Sequence, residues 1–387
     1  MKNIQSKREM MAVVTSVPLQ VRFFLVNHIV NFHKRYEITV ISNLLTQKYL
    51  LNILPKEVLT HHISILREIS LIADIKTLLQ LIIYFFRNKY RVVYSISPKA
   101  GLLCMFAAWL ACVPIRIHTF TGQVWVTQKG MLKFLLKMLD RITAKFATVV
   151  IVDSLSQRDF LIDHKIVSDG KSMVLGDGSI SGVDVDRFCM RPSVRKIIRT
   201  DLDVDNSTII FLFIGRLKKE KGVFELAKAF NKISKNRNDL ELWFVGPDED
   251  NVQDDLKSIT LDCNGTIQFF PYTTTPEDYF TASDIYCLPS YREGFGSTII
   301  EAAACGIPAI GSNIYGITDA IIDGETGVLV EKGNVDALAS AMLSLANDSS
   351  MREKLCESAK QRALEKFHQQ RLSEELMMVI KQQSDHL

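Results

Sequence analysis

Two series of short apolar runs, each run followed by a segment long enough for a helix, constrain the fold of this chain more than any other feature. Parallel strands that are buried on both faces are continuous apolar runs, and their alternation with helices is typical of a sheet covered on both sides. We therefore predict an α/β protein with two doubly wound sheets. The predicted strands are residues 11–15, 38–41, 91–96, 115–120 and 148–152, then 208–214, 240–245, 267–270, 285–288, 309–311 and 327–330.

The length of 387 residues fits two domains of this kind. The polar and charged stretch at residues 188–206 predicts the join, which gives an N-terminal domain over 1–190 and a C-terminal domain over 191–365. Residues 351–380 carry a long helical pattern. We expect the end of the chain, 366–387, to be a helix that packs back toward the N-terminal domain.

The net charge of +3 conceals an asymmetry between the two halves. Residues 1–190 hold 24 Lys and Arg against 13 Asp and Glu, whereas the remainder holds 22 against 30. A basic half beside an acidic half predicts an anionic partner for the basic one.

Cysteine usage and the apolar segments indicate where the protein works. The seven cysteines form no C-x-x-C pair and mostly lie in apolar runs, as reduced, buried thiols of a cytosolic protein do. The N-terminus does not resemble a signal peptide. The longest apolar stretch, residues 101–115, is shorter than the roughly 20 residues that cross a bilayer. We expect a soluble or peripheral protein, without an integral membrane segment.

A glycine and two cations follow the first strand of the second series. Gly215, Arg216 and Lys221 lie within the run GRLKKEKG. Gly215 permits a tight turn, and a guanidinium fork together with an ammonium group suits a diphosphate. The alternative is a solvated basic turn.

A glycine-rich segment, EGFGS, follows the predicted strand at 285–288. Gly294 and Gly296 leave backbone amides accessible, and a predicted helix begins near Ser297. The N–H groups at the start of a helix attract phosphate. The alternative is an ordinary glycine turn.

Two glutamates flank the start of this helix. Glu293 and Glu301 are eight residues apart, which puts Glu301 two turns into the helix. A carboxylate there can accept hydrogen bonds from ribose hydroxyls, as acidic residues do in dinucleotide sites. The alternative for Glu301 is a partly paired helix residue.

These motifs resemble those of retaining glycosyltransferases of the GT-B fold, in the large family called GT4. The E-x7-E pattern of Glu293 and Glu301, the pattern at 215–222 and the segment at 181–188 carry the resemblance, which is strongest over 209–342. It implies two facing Rossmann-like domains with the ligand cleft between them, where doubly wound sheets bind ligands.

The resemblance implies roles in binding a nucleotide-sugar donor. Arg216 and Lys221 would hold its diphosphate, Glu293 would lie beside the transferred sugar, the amide near Phe295 would meet the distal phosphate, and Glu301 would bind ribose. The donor-binding residues implied are Gly215, Arg216, Lys221, Gly294, Phe295, Gly296, Ser297 and Glu301. The catalytic residues implied are Glu293, His118, Lys221 and Arg216.

No metal ion or other cofactor is expected. In the family that the chain resembles, side chains and amides neutralise the diphosphate. The letters D-x-D occur at 184–186 and 203–205, but both lie in or near the predicted linker.

Three N-terminal residues are candidates for binding the acceptor. Ser16 lies in the loop after the first strand, which lacks the Gly-Gly pair of many relatives. Lys99 lies in a predicted turn, and His118 lies near the end of a strand, where the resemblance suggests contact with donor sugar or acceptor. The alternatives are an ordinary turn for Lys99 and a structural histidine for His118.

One segment predicts a basic amphipathic helix. Its cations recur every four residues with leucines between them: Lys129, Lys133, Lys137, Arg141 and Lys145. Such a helix is typical of contact with an anionic membrane surface. The alternative is an ordinary helix with its apolar face inward and its lysines in water.

Together these observations predict a cytoplasmic transferase, peripheral on the inner face of the cytoplasmic membrane. It would move one sugar, for example a UDP-linked N-acetylhexosamine, to a lipid-diphosphate-linked saccharide in O-antigen or capsule assembly. No nucleic-acid partner is expected. The alternatives are a soluble enzyme of the same fold with a GDP- or dTDP-sugar and a non-lipid acceptor, a nucleotide-sugar epimerase, and a non-catalytic nucleotide-sugar-binding subunit.

Overall fold

A computed structural model of the chain describes residues 8–45, 48–66 and 70–385. The chain divides into two compact units. The first comprises Met1–Ser181 and Gln369–Leu387, and the second is Gly182–His368. The α/β class and the two parallel sheets predicted from the sequence are confirmed.

In its described part, the first unit contains a parallel sheet of seven strands in the order β3-β2-β1-β4-β5-β6-β7. The chain order reverses between β1 and β4, which is where such sheets bind ligands. The strands are β1 (Glu9–Val14), β2 (Tyr36–Ser42), β3 (Leu59–His62), β4 (Val92–Ile96), β5 (Ile115–Phe120), β6 (Val149–Val152) and β7 (Ser172–Val174).

Helices cover both faces of this sheet. One apolar core lies on each side, and the side that holds α3, α4 and α5 includes Leu81, Phe85 and Trp125. The helices are α1 (Pro18–Gln20), α2 (Val26–His33), α3 (Leu71–Asn88), α4 (Pro98–Leu110), α5 (Gly130–Phe146) and α6 (Leu155–Asp163). Short segments of π- or 3₁₀-helix occupy Val21–Leu25, Lys48–Ile53, Val124–Thr127 and Asp169–Lys171.

The second unit, all of whose residues are described, contains a six-stranded parallel sheet in the order β10-β9-β8-β11-β12-β13. Its strands are β8 (Ile209–Ile214), β9 (Leu240–Val245), β10 (Thr266–Phe270), β11 (Ile285–Leu288), β12 (Ala309–Ser312) and β13 (Gly327–Val330). Its helices are α7 (Pro192–Asp201), α8 (Val223–Ser234), α9 (Gln253–Ile259), α10 (Pro276–Ala282), α11 (Ser297–Ala304), α12 (Ile317–Ala320), α13 (Val335–Asn347) and α14 (Ser349–Lys366).

The last helix, α15 (Gln369–Asp385), belongs to the first unit. It packs on α2, where Leu372, Leu376 and Ile380 enter the core. The Asn27 side-chain amide donates to the backbone oxygen of Gln369 at 2.7 Å. The long helical pattern at the end of the sequence is thus two helices, with a break at residues 367–368.

The structure differs from the sequence-based boundaries in three places. The first unit has two strands beyond the predicted five, β3 and β7. Along the chain, the first unit gives way to the second after Ser181 and resumes at Gln369, whereas the sequence predicted boundaries at 190 and 365. The charged stretch predicted as a join holds helix α7, because its arginines pair with acidic residues of the second unit; Arg195 contacts Asp284 at 2.6 Å.

Candidate functional site in the second unit

The two glycine-containing loops begin at the carboxyl ends of adjacent strands. β8 pairs with β11, so residues 215–222 and 289–296 leave the sheet side by side. This is also the point where the strand order reverses. The fold therefore brings together two motifs that are about 70 residues apart in the sequence.

Gly222 allows the loops to touch. Its φ is +72°, and a Cβ built there would lie 2.0 Å from the backbone oxygen of Pro289. No other residue fits this position without moving one of the loops. Gly222 also ends the short 3₁₀ turn at Lys219–Lys221, which fixes the position of Lys221.

Lys221 and Glu293 form an ion pair between the loops. Lys221 Nζ donates to Glu293 Oε1 at 2.6 Å, and the Ser290 hydroxyl donates to the same oxygen at 2.7 Å. Both charged side chains are mostly buried. Two residues that the sequence singled out for the diphosphate and the sugar therefore lie in direct contact.

A second ion pair joins the same two loops one residue earlier. Arg292 Nη2 lies 2.9 Å from each carboxylate oxygen of Glu220, and the Tyr291 N–H donates to the Glu220 backbone oxygen at 2.9 Å. Sequence reasoning missed this pair. The adjacency of Glu220 to Lys221 and of Arg292 to Glu293 was the available signal.

Arg216 lies at the surface beside this pair. Its Nη1 donates to Glu249 Oε2 at 3.2 Å, and its Nη2 is 3.9 Å from Glu220 Oε1. The side chain is 42% exposed. An exposed guanidinium in a weak surface pair can turn to an incoming anion at small cost.

Helix α11 starts directly after the second loop. Gly296 caps it at φ +83° and Ser297 is its first residue, while Gly294 is buried in the loop. Phe295 is also buried and packs edge-on against Phe367, 5.2 Å between ring centroids. Phe295 therefore anchors the loop, and the first amides of α11 are the groups left to meet an anion.

Glu301 lies two turns into α11 and is partly buried. Burial raises its pKa to about 8; Arg187 opposes the shift and Glu277 adds to it. Arg187 in turn donates to Glu277 Oε2 at 2.8 Å. Among the described residues, no group donates a hydrogen bond to the Glu301 carboxylate, so its oxygens are free to accept from a ligand. Sequence reasoning had not singled out Arg187, although it lies in the resemblance segment 181–188.

In the first unit, Ser16 follows β1 and is buried. Its hydroxyl oxygen is 3.1 Å from that of Ser97, at the end of the adjacent β4. Its amide donates to the Gln20 side chain at 3.1 Å. The loop without glycine is therefore held by side-chain hydrogen bonds.

Lys99 does not lie in an open turn. α4 begins at Pro98, so Lys99 is in its first turn, and its Nζ pairs with Asp74 of α3 at 2.6 Å. The predicted turn is wrong because Pro98 is well suited to the first position of a helix.

His118 lies inside β5 and is fully buried. Its Nδ1 is 2.9 Å from the Ser95 hydroxyl, and a Cβ at Gly101 would lie 2.1 Å from its ring. Burial lowers the pKa of His118 to about 3, so the ring is neutral near pH 7. Its Nε2 has no hydrogen-bond partner among the described residues. Contact of His118 with a ligand stays a prediction.

One aspartate of each D-x-D sequence accepts a hydrogen bond from a nearby backbone amide. Asp184 accepts from the Arg187 amide at 3.2 Å, and Asp205 accepts from the Ser207 amide at 2.7 Å. The part of the chain that the structure describes contains no cluster of three or more His, Cys, Asp or Glu side chains arranged to hold a metal ion. Among the same residues, no helix has the length and apolar character needed to traverse a bilayer.

Comparison with known proteins assigns the second unit to a family. Residues 194–362 match the family described as glycosyl transferases group 1. The chain is 33% identical over 319 residues to the capsular polysaccharide biosynthesis glycosyltransferase CapM of Staphylococcus aureus. The matched region covers 82% of this chain and 83% of CapM. It is 28% identical over 291 residues, 74% of each chain, to an Escherichia coli UDP-Gal:alpha-D-GlcNAc-diphosphoundecaprenol alpha-1,3-galactosyltransferase.

Solved structures share the fold. Anabaena Alr3699/HepE, crystallised with UDP and glucose, superposes with a TM-score of 0.82 at 16% identity over 97% of this chain and 100% of its own. WaaG, a glycosyltransferase of lipopolysaccharide biosynthesis, superposes with a TM-score of 0.75 at 16% identity over 96% of this chain and 99% of its own. The GT-B class expected from the motifs is thereby confirmed.

Proposed function

This chain belongs to the group 1 glycosyltransferases, and we propose that it transfers a sugar with retention of configuration from a UDP-sugar to a lipid-diphosphate-linked saccharide. The transferase activity follows from the family. The donor, the acceptor and the stereochemistry are the proposal.

The contact between Lys221 and Glu293 carries the proposal for the donor. A lysine and a carboxylate within 2.6 Å, beside the start of α11, form a site with one cationic and one acidic part. The ammonium group and the helix amides suit a diphosphate. The carboxylate suits the hydroxyls of the sugar attached to the diphosphate, because an ionised carboxylate accepts hydrogen bonds and donates none.

The charges of the reaction fit this arrangement. Breaking the bond between the anomeric carbon and the diphosphate oxygen makes the sugar positive and the leaving group more negative. Lys221, Arg216 and the amides of α11 stabilise the leaving diphosphate, which is worth several kcal/mol in a site without water. For retention, the acceptor hydroxyl attacks from the face that the diphosphate leaves and passes its proton to the departing phosphate oxygen. No metal ion takes part in this scheme.

Two relatives support the choice of substrates. The Escherichia coli relative is named for a UDP-linked donor and a diphosphoundecaprenol-linked acceptor, and CapM is named for capsular polysaccharide synthesis. We propose the same classes of donor and acceptor here, with an N-acetylhexosamine as the candidate sugar and capsule or O-antigen as the product. The acceptor would bind at the carboxyl edge of the first sheet, near Ser16, Lys99 and His118.

We further propose that the enzyme works at the cytoplasmic face of the membrane as a peripheral protein. A lipid-linked acceptor has to be reached at a bilayer. The excess of basic residues in the first half of the sequence supports this location.

The decisive experiment offers a panel of UDP-, GDP- and dTDP-sugars with a lipid-diphosphate-linked monosaccharide, and mass spectrometry reads the product. A product formed only from a UDP-sugar, with its anomeric configuration retained by NMR, supports the proposal. Transfer from GDP- or dTDP-sugars alone, an inverted product, or epimerised donor without transfer would contradict it.

Two substitutions test the site. Lys221→Ala and Glu293→Ala should each lower transfer at least about 100-fold, since each removes a charge that faces the donor. Lys232→Ala and Asp336→Ala are matched controls, because this lysine and aspartate form an exposed ion pair on α8 and α13 of the same unit. Full activity in both site variants would refute the assignment.

A further inference from the structure

The three adjacent helices α3, α4 and α5 of the first unit present an unusual outer face. α4 packs against both α3 and α5, and all three cover the same side of the sheet. Helices in this position normally turn apolar residues inward and polar residues outward. Here the outward residues are largely apolar.

α3 carries the longest apolar row, which we call the apolar stripe. It consists of Ile72, Ile75, Leu79, Ile83 and Phe86, all exposed, from 86% at Ile72 to 49% at Ile83. Their spacing of three and four residues puts them on one line along about 21 Å of the helix. Thr77, Leu81 and Phe85 on the opposite side are buried in the core. The stripe is therefore not the face that holds α3 in the fold.

α4 and α5 extend this surface. Trp109 and Leu110 are exposed at the end of α4, and Trp109 stacks on Phe106. The first half of α5 exposes five more apolar side chains: Met131, Leu132, Phe134, Leu135 and Met138. The sequence-based alternative of an ordinary helix with its apolar residues inward does not describe this half of α5. Clusters of exposed apolar side chains on adjacent helices mark contact surfaces.

The charges around the surface are almost all positive. Lys129, which precedes α5, and Lys133, Lys137 and Lys145 within it form no ion pair with any described residue. Burial and the like charges of Arg141 and Lys133 lower the pKa of Lys137, as expected where no anion neutralises a cationic cluster.

The acidic residues of the three helices do not offset these cations. They are Asp74 and Asp140. Asp74 pairs with Lys99 at 2.6 Å, and the buried Asp140 accepts from the Trp125 indole N–H at 2.8 Å. The outer face thus combines apolar side chains with a positive charge that the acidic residues of these three helices do not compensate.

We propose that the outer face of α3, α4 and α5 docks on an anionic lipid bilayer, with the apolar stripe inserted among the lipids and the α5 lysines at the headgroups. A helix that is apolar along one line and flanked by lysines lies in the plane of such an interface. A tryptophan at the edge of the surface suits the headgroup region. The inference rests on the proposed function in one respect: an enzyme with a lipid-linked acceptor has to reach that acceptor at a membrane.

The test is co-sedimentation of the full chain with vesicles of phosphatidylcholine, or of phosphatidylcholine and phosphatidylglycerol in equal amounts. The wild type should bind the anionic vesicles, and it should keep part of that binding in about 1 M salt, where the Debye length is roughly 3 Å. The double variant Ile75→Ser/Leu79→Ser should bind at least about tenfold more weakly, since it removes apolar area that enters the bilayer.

A matched control separates insertion from general surface hydrophobicity. Leu261→Ser/Met378→Ser also removes two exposed apolar side chains, outside the outer face, and should bind as the wild type does. Trp109 gives a second readout, because Trp125 and Trp243 are buried. Brominated lipids should quench wild-type fluorescence and should quench Trp109→Phe much less.

Three results would overturn the proposal. The first is that Ile75→Ser/Leu79→Ser binds anionic vesicles as strongly as the wild type does. The second is that the control Leu261→Ser/Met378→Ser loses as much vesicle binding as the stripe variant. The third is that the wild type binds no vesicles and is a dimer by light scattering, whereas Ile75→Ser/Leu79→Ser is a monomer. The outer face would then join two copies of the chain. The vesicle assay needs neither donor nor acceptor. Failure of transfer with intact vesicle binding would therefore contradict the proposed function alone.

Discussion

The stability advantage of Glu301→Gln over the wild type should grow as the pH rises. The folded-state pKa of Glu301 is raised to about 8 by burial, whereas a glutamate in an unfolded chain titrates near 4.3. Between these values the unfolded chain is ionised and the folded chain holds a proton. The wild type therefore loses stability as the pH rises through this range, and Glu301→Gln removes the loss.

The magnitude follows from one proton of difference, which is worth about 1.4 kcal/mol per pH unit. Between pH 5 and pH 7.5, the free energy of unfolding of the wild type should fall by roughly 3 kcal/mol relative to that of Glu301→Gln. Urea denaturation followed by circular dichroism at both pH values measures this difference. Glu353→Gln, an exposed glutamate on α14 of the same unit, is the control and should show no such trend. A constant difference between wild type and Glu301→Gln would refute the reasoning.

The same proton links Glu301 to nucleotide binding. Ribose hydroxyls donate to an ionised carboxylate, so UDP should bind the wild type more tightly at pH 8.5 than at pH 7, by up to about tenfold. Calorimetric titration should show this rise in the wild type and a flat profile in Glu301→Gln. An equal rise in both would assign the pH dependence to another group.

Three further substitutions test the packing around the sites. Gly222→Ala should cost more than about 2 kcal/mol of stability, because the added methyl group meets the Pro289 oxygen. Gly324→Ala has the same φ but lies in open space, so it should cost only about 1 kcal/mol. Thermal unfolding compares the two variants, and equal losses would contradict the steric argument. Glu220→Gln should lower kcat severalfold with little change in the melting temperature, because both carboxylate oxygens of Glu220 contact Arg292 and so connect the two loops. Unchanged kinetics would show that Lys221 and Glu293 keep their positions without this contact. Gly101→Ala should cost about 1–3 kcal/mol, because its methyl group would overlap the His118 ring, and a wild-type melting temperature would contradict that contact.

The predicted strands that the structure confirms share an apolar sequence, and this includes β10 and β13 at the edges of the second sheet. β8 and β9, for example, are buried along almost their whole length. The two missed strands lack this signal. β3 is an edge strand with the sequence LTHH and is mostly exposed, and β7 has three residues. An edge strand that is polar or very short lacks an apolar run, so hydrophobicity alone does not reveal it.

The second-unit motif residues were predictable because their chemistry is local. Glycines at strand ends and a helix start can be recognised from the sequence, and the structure puts Gly222 and Gly296 at positive φ. The pairings were not predictable. The contacts of Lys221 with Glu293 and of Glu220 with Arg292 depend on β8 and β11 being neighbours. The sequence likewise did not show that Asp74, on another helix, would engage Lys99.

The return of α15 to the first unit has a consequence for biosynthesis. Leu372, Leu376 and Ile380 complete one of the two cores beside the first sheet, yet they leave the ribosome after the entire second unit. The second unit is continuous and can fold as soon as it emerges. The first unit must wait for it with an apolar face uncovered, so the part of the protein synthesised first is the part that finishes folding last.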